Sequence, residues 1–190
     1  LSLVPLVVVL VVADGMIEGI TARYIEVGTY HLQARSFGAP AEEEVAAAAG
    51  AAMAVPGAEA AFRETQGYGV ALLGARTSGV AIRAIDPAFL EDPGLRRYLA
   101  AKDGEARLGS SNEILLGYYL ARSLGAKVGD AVSLVTERRS RLGAGEALAP
   151  KVSVFRVRGI VSAGYRELDA LWAFVSLRAG SRIHDPATSR

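Results

Sequence analysis

The sequence predicts an α+β chain made of an N-terminal apolar helix, a β-α-β piece and a smaller β-rich piece. Three observations carry this reading. Thirteen almost purely apolar residues precede the first charge, Asp14, and helical spacing of apolar residues continues beyond it. An alanine-rich segment over 41–55 lies between alternating stretches. In the second half, glycine turns separate a helical pattern from β-branched runs.

The opening run, LSLVPLVVVLVVADG, admits three readings. As a signal peptide it lacks a basic start, since nothing basic precedes Arg23, and no A-x-A cleavage pattern follows. As a buried strand, VVVLVVADG ends in Asp-Gly, resembling the first metal-binding strand of alkaline-phosphatase-like hydrolases. That chemistry needs several His and Asp ligands, and His31 and His184 are the only imidazoles in the chain. As a helix, thirteen residues cover roughly 20 Å of a hydrocarbon core of about 30 Å. The third reading therefore makes the run the outer end of a transmembrane helix, with Leu6, Val9 and Leu10 in lipid and the membrane exit near Asp14. Met16, Ile17, Ile20, Tyr24 and Val27 continue it as the apolar face of a stalk. Gly15 and Gly19 form a small-xxx-small pair suited to close helix packing, and Pro5 is tolerable in a membrane helix. This reading is preferred.

From Gly28 the pattern turns extended, and TYHLQARSF predicts a strand closed by Gly38 and Pro40. A helix is expected from Ala41, with Glu42, Glu43 and Glu44 favouring its positive end, through VAAAAGAAMAV to Pro56-Gly57. Strands are expected over 58–66, 69–75 and 79–85, then short helical segments after Asp86-Pro87 and from Pro93. EILLG reads as a strand, YYLARSLG as a helix ended by Gly125, and AVSLV as a strand entered through Gly129-Asp130. SVFRVRGIV returns as the second arm of a hairpin, leaving an overlong tip from Glu137 to Pro150. A last strand is expected around Trp172 to Leu177.

Composition excludes several chemistries. Cysteine is absent, which removes thiol nucleophiles, thiolate zinc sites and disulfides. A net charge of +1 gives no overall footprint for nucleic acid. Neither a phosphate-binding G-x-x-x-x-G-K-[ST] loop nor a G-x-G-x-x-G fingerprint occurs, and no cofactor is expected. Ser110 and Ser111 near Glu113 read as a turn or cap, Asp130 as a turn residue, and Glu167 with Asp169 as structural carboxylates. The basic run ERRSR, residues 137–141, reads as a solvated loop or a protrusion that docks another protein.

Two stretches carry a resemblance. The first contains Leu124, Gly125, Val128, Gly129, Asp130, Val132 and Leu134. The second contains Phe155, Val157, Gly159, Ile160, Gly164, Tyr165, Asp169, Ala173, Phe174, Val175, Ser176 and Leu177. Together they resemble the extracytoplasmic domain of the MacB/FtsX-like ABC transporter permeases, with the closest likeness to the lipoprotein-releasing LolC/LolE branch. The opening run followed by Ala13-Asp14-Gly15 fits the first membrane helix and stalk of that family.

The resemblance implies a protein of the bacterial cytoplasmic membrane, with residues from about 14 onward on the periplasmic side. Residues 1–26 would end the first membrane helix and form the stalk. A porter-like β-α-β subdomain would follow over 27–90, a β-rich inserted subdomain over 91–177, and a truncated return segment over 178–190. It further implies a non-enzymatic chain that works with a cytoplasmic ATPase subunit, a second permease subunit and a soluble periplasmic carrier, moving lipoproteins or another amphiphile. The family's carrier-capturing loop corresponds to the interval from Glu137 to Pro150, where Arg138, Arg139, Arg141 and Leu142 are the candidate contacts. The family's domain continues past the final strand, whereas this chain stops at HDPATSR. A fragment or a truncated gene product is therefore expected, with the porter sheet incomplete and an unpaired edge on its first β-α-β unit. A membrane-anchored adhesion or scaffold module and a metal-dependent hydrolase using Asp14 are the alternatives.

Overall fold

The structure, a computed structural model, describes residues 3–36, 41–142 and 145–183. The chain divides into two units, residues 1–34 and 35–190. The first is a single helix, α1 (Val4–Tyr24), which continues into a π-helical turn at Ile25–Thr29. Pro5 lies in its first turn, where the missing N–H costs nothing. Asp14 therefore sits in mid-helix, not in a loop after a strand, which removes the geometry the hydrolase reading needed. Among the described residues no group of three or more His, Asp or Glu side chains could hold a metal ion. The predicted strand TYHLQARSF is also corrected. Thr29 closes the π turn, residues 30–36 form no regular element, and the predicted closing residues Gly38 and Pro40 lie outside the described residues. Alternation specifies a face, but a strand forms only where a partner supplies a ladder.

The second unit begins with α2 (Glu42–Met53), where the Glu44 carboxylate accepts the Ala41 N–H at the helix start. The three strands expected over 58–85 are two. β1 (Glu64–Leu73) and β2 (Arg76–Ile85) form an antiparallel hairpin turning at Gly74-Ala75. A 3-10 helix (Pro87–Glu91) and α3 (Pro93–Tyr98) follow, capped by the Asp86 and Asp92 carboxylates. Next comes β3 (Ala100–Gly104), which no sequence pattern announced.

β4 (Glu113–Gly117), α4 (Tyr118–Leu124) and β5 (Ala131–Leu142) follow the predicted order. Gly125 closes α4 in the left-handed region at φ 69°, which an L side chain rarely adopts. The Asp130 carboxylate accepts the Lys127 N–H, and that of Glu113, at the start of β4, accepts the N–H groups of Gly109 and Ser110, so both carboxylates pin the turns before their strands. β6 (Gly145–Ser162), α5 (Arg166–Asp169), β7 (Trp172–Ser176) and α6 (Leu177–Ile183) complete the unit.

All seven strands share one mixed sheet, ordered β3-β6-β4-β7-β2-β1-β5. β2 runs parallel to β7, so strands on the two sides of residue 90 are ladder neighbours. Because β6 pairs with β4 along 156–161 and with β5 along 145–156, six strands form a closed circuit of ladders. β1 lies between β2 and β5, and β2 between β1 and β7. The unpaired edge expected on the first unit is therefore absent from these strands, although β5 covers only Val70–Leu72 of β1. β3 hangs outside the circuit on β6, short and exposed, with Lys102 and Asp103 on it. Charges on a short edge strand discourage pairing with another chain.

One face of the sheet meets α4 and α6, giving a core of Ile82, Ile114, Leu116, Leu120, Leu124, Leu134, Val175 and their neighbours. Elsewhere in the unit Arg83 is 2% exposed and pairs with Glu64 through two contacts of 2.6 and 2.8 Å. Its guanidinium lies 4.5 Å from the Trp172 ring centre and 5.3 Å from that of Phe174. Beside β3, Arg107 first and Arg158 second hold the exposed Glu105 carboxyl below its ordinary pKa.

Candidate functional site

Two features carry the functional residues predicted from sequence: α1 and the β5–β6 hairpin. They belong to different units and are taken separately.

Leu6, Val9, Leu10, Met16, Ile17 and Ile20 all lie on α1, within an arc of about 120° at 3.6 residues per turn. All six are exposed. So are Val7, Val8, Val11 and Val12, so the first half of the helix is apolar around its whole circumference. Not one of the helix's 21 residues is buried. An apolar helix in water gains nothing from such exposure, at about 25 cal/mol per Å² of apolar surface. The whole helix measures about 31 Å at 1.5 Å per residue, and its wholly apolar part, Val4–Ala13, about 15 Å, half of a bilayer's hydrocarbon core. The segment Val4–Thr29 is long and apolar enough to cross a membrane. Polar residues begin at Asp14 and recur at Glu18, Thr21 and Glu26 along one side, next to His31.

The hairpin differs from its sequence forecast. The interval from Glu137 to Pro150 is not an irregular loop. The antiparallel ladder runs without a break from Ala131↔Arg156 to Leu142↔Gly145. β1 leaves the ladder at Val135, so β5 and β6 continue as a two-stranded arm of about 20 Å at 3.3 Å per residue. Arg138, Arg139, Arg141 and Leu142 occupy β5 positions opposite Ala149, Leu148, Glu146 and Gly145. Their side chains, and residues 143–144, lie outside the described residues. The forecast missed the continuity because charged residues such as ERRSR weaken the strand signal without preventing ladder hydrogen bonds.

The arm's root is tied down by groups that sequence reasoning did not single out. Thr136, buried on β5, donates its hydroxyl to the Ile183 carbonyl at 2.9 Å. The Lys151 ammonium donates to the Arg182 carbonyl, and the Arg182 guanidinium donates to the Ser111 carbonyl at 2.7 Å and the Asn112 Oδ1 at 3.2 Å. These bonds satisfy carbonyls at the end of α6 that have no partner within the helix. They also fix where the free part of the arm begins. His184 lies outside the described residues, and His31 is exposed in the irregular segment after α1.

No curated protein matches the sequence. Among solved structures, it is similar to the extracellular domain of the noncanonic ABC-type transporter YknZ from Gram-positive bacteria. That match has 13% identity over 80% of this chain and 78% of the other, with a TM-score of 0.51. The periplasmic region of MacB from Actinobacillus actinomycetemcomitans matches 80% of this chain and 70% of its own at 14% identity, with a TM-score of 0.49. At 13% identity the likeness to YknZ speaks for the fold alone, a mixed sheet with helices. The family profile of the MacB-like periplasmic core domain matches residues 2–188, and the chain belongs to that family.

Proposed function

We propose that this chain couples ATP hydrolysis on a separate cytoplasmic subunit or domain to the movement of lipoproteins or another amphiphile outside the cytoplasmic membrane. It is a MacB-like periplasmic domain of an ABC transporter permease, with an N-terminal apolar helix suited to membrane anchoring. The observation that carries the reading is that helix, apolar on all sides over its first half and buried nowhere. Lipid is the solvent in which such a surface is stable. Leu6, Val9 and Leu10 lie in the bilayer, the chain leaves it near Asp14, and Met16, Ile17 and Ile20 face a partner helix along the stalk. The arm, with Arg138, Arg139, Arg141 and Leu142, captures a soluble periplasmic carrier. A second permease subunit completes the assembly.

Cysteine labelling tests the membrane placement cleanly, because the chain has no native thiol. In intact cells a membrane-impermeant maleimide is expected to label Glu18→Cys but not Val8→Cys. Equal labelling of both sinks the membrane reading. For the arm, replacing Arg138, Arg139 and Arg141 together by Ala should weaken carrier capture in a pull-down while the melting temperature stays put. Unchanged capture removes the arm from the docking surface.

A further inference from the structure

One depression in the sheet unit combines cations with aromatic walls. Lys102 of β3, Tyr118 and Tyr119 of α4, Ser162 at the end of β6, and Arg166 and Asp169 of α5 line it. Its floor is held in place. The buried Asp169 carboxylate accepts the Ser162 hydroxyl at 2.6 Å and the Ala163 N–H at 2.7 Å, while Ser162 Oγ accepts the Gly164 N–H at 3.2 Å. The same residue seats α4, because a Cβ at Gly117 would come within 2.3 Å of the Asp169 carbonyl oxygen. The Tyr118 and Tyr119 rings meet edge to face at 5.2 Å, and the Arg166 guanidinium lies 5.5 Å from the Tyr119 ring centre.

The charge count favours an anion. Two exposed cations, Lys102 and Arg166, face a single carboxylate whose two oxygens already accept hydrogen bonds. Neither cation forms an ion pair with a described residue. The stacking on Tyr119 restricts the Arg166 fork and lowers the ordering cost of a ligand contact.

We propose that this cleft binds a phosphate group, with Lys102 and Arg166 holding its oxygens and Tyr118 and Tyr119 flanking them. A phosphate presents more acceptor oxygens than a carboxylate, which suits cations contributed by separate elements, the edge strand β3 and the helix α5. The chemistry is shared by a phospholipid headgroup and by free phosphate. The proposal goes beyond the transport reading and does not depend on the cargo or on the arm.

The test uses the full chain in an uncharged maltoside detergent, titrated separately with inorganic phosphate and with dihexanoyl-phosphatidylglycerol. NMR resonances of the Tyr118 and Tyr119 rings supply the readout. Saturable shifts with a Kd on the order of 1 mM or tighter are expected for at least one probe. Arg166→Gln should weaken binding at least about tenfold, and Lys102→Ala less, both with unchanged melting temperature. Saturation by phosphate identifies the free anion as sufficient, whereas saturation by the lipid analogue alone identifies a headgroup site. No saturable shift with either probe, or shifts that persist equally in both variants, overturns the proposal. Should Arg166→Gln lower the melting temperature, Lys102→Ala on its exposed strand still decides the question.

Discussion

Helices α1 and α4 invert the usual relation between composition and burial. α1 is the longer and more apolar, and it buries none of its 21 residues. α4 has seven residues, among them two tyrosines, an arginine and a serine, yet it buries Leu120, Ala121 and Leu124 in the core. Burial therefore follows from what an element is packed against, and composition alone does not report it. α4 is amphipathic because it lies between a sheet and water. The first half of α1 shows no such division, which is the pattern of a helix whose whole surroundings are apolar.

Substitutions sharpen the contrast. Leu120→Ala should have the largest effect, lowering the sheet unit's stability by up to about 5 kcal/mol through a core cavity. Val8→Ala in α1 should change the same urea midpoint by less than about 0.5 kcal/mol. Equal losses at both sites would mean that α1 belongs to the folded core. Glu64→Ala comes next, at about 3 kcal/mol, because it removes the carboxylate that faces the buried Arg83 guanidinium. Val9→Lys should leave the sheet unit's melt unaltered but oppose membrane insertion by about 2.5 kcal/mol, read as the membrane-integrated fraction in a translocon assay. Undiminished integration would break the comparison from the other side.

The smallest effect concerns pH. The Glu105 carboxyl titrates below its ordinary value of 4.5 because Arg107 and Arg158 favour its ionised form. Its contribution to stability is thus complete above the unfolded-state value and is lost as pH falls through the lower folded one. Glu105→Gln should accordingly lose less stability than the native chain between pH 7 and pH 3. An identical acid limb in urea titrations would show that solvent screens the contact completely.

The legible parts of the fold were those written in local chemistry. Gly125 announced the end of α4, Gly129-Asp130 the turn into β5, and Pro56-Gly57 the limit of α2, because each residue type answers a backbone requirement at its own position. The helical spacing of Met16, Ile17, Ile20 and Tyr24 falls on α1, whereas Val27, expected on the same face, is buried in the π turn that follows. What stayed hidden depends on partners distant in sequence. Residues 30–36 alternate but have no ladder, whereas β3 has a ladder on β6 but no alternation. The parallel pairing of β2 with β7 joins segments about ninety residues apart, and no local pattern encodes it. Of the candidate site, the six positions on α1 and the location of the hairpin were readable. The arm's continuous register, and the Thr136 and Lys151 bonds at its root, required the end of α6 to be in place.

β6 serves two ladders in succession, and this imposes a rule about length. Its first twelve residues match β5, and its last few match β4 and β3, with Arg156 shared between the neighbours. An insertion of one residue near Arg156 would turn every following side chain of β6 toward the opposite face, exchanging Val157 and its core neighbours for solvent-facing positions. Residues added in equal number to both strands at the tip, beyond Leu142 and Gly145, would leave that phase untouched. The hairpin thus behaves as an extensible part on a fixed mount, whose reach can be changed by pairs without re-solving the packing beneath it.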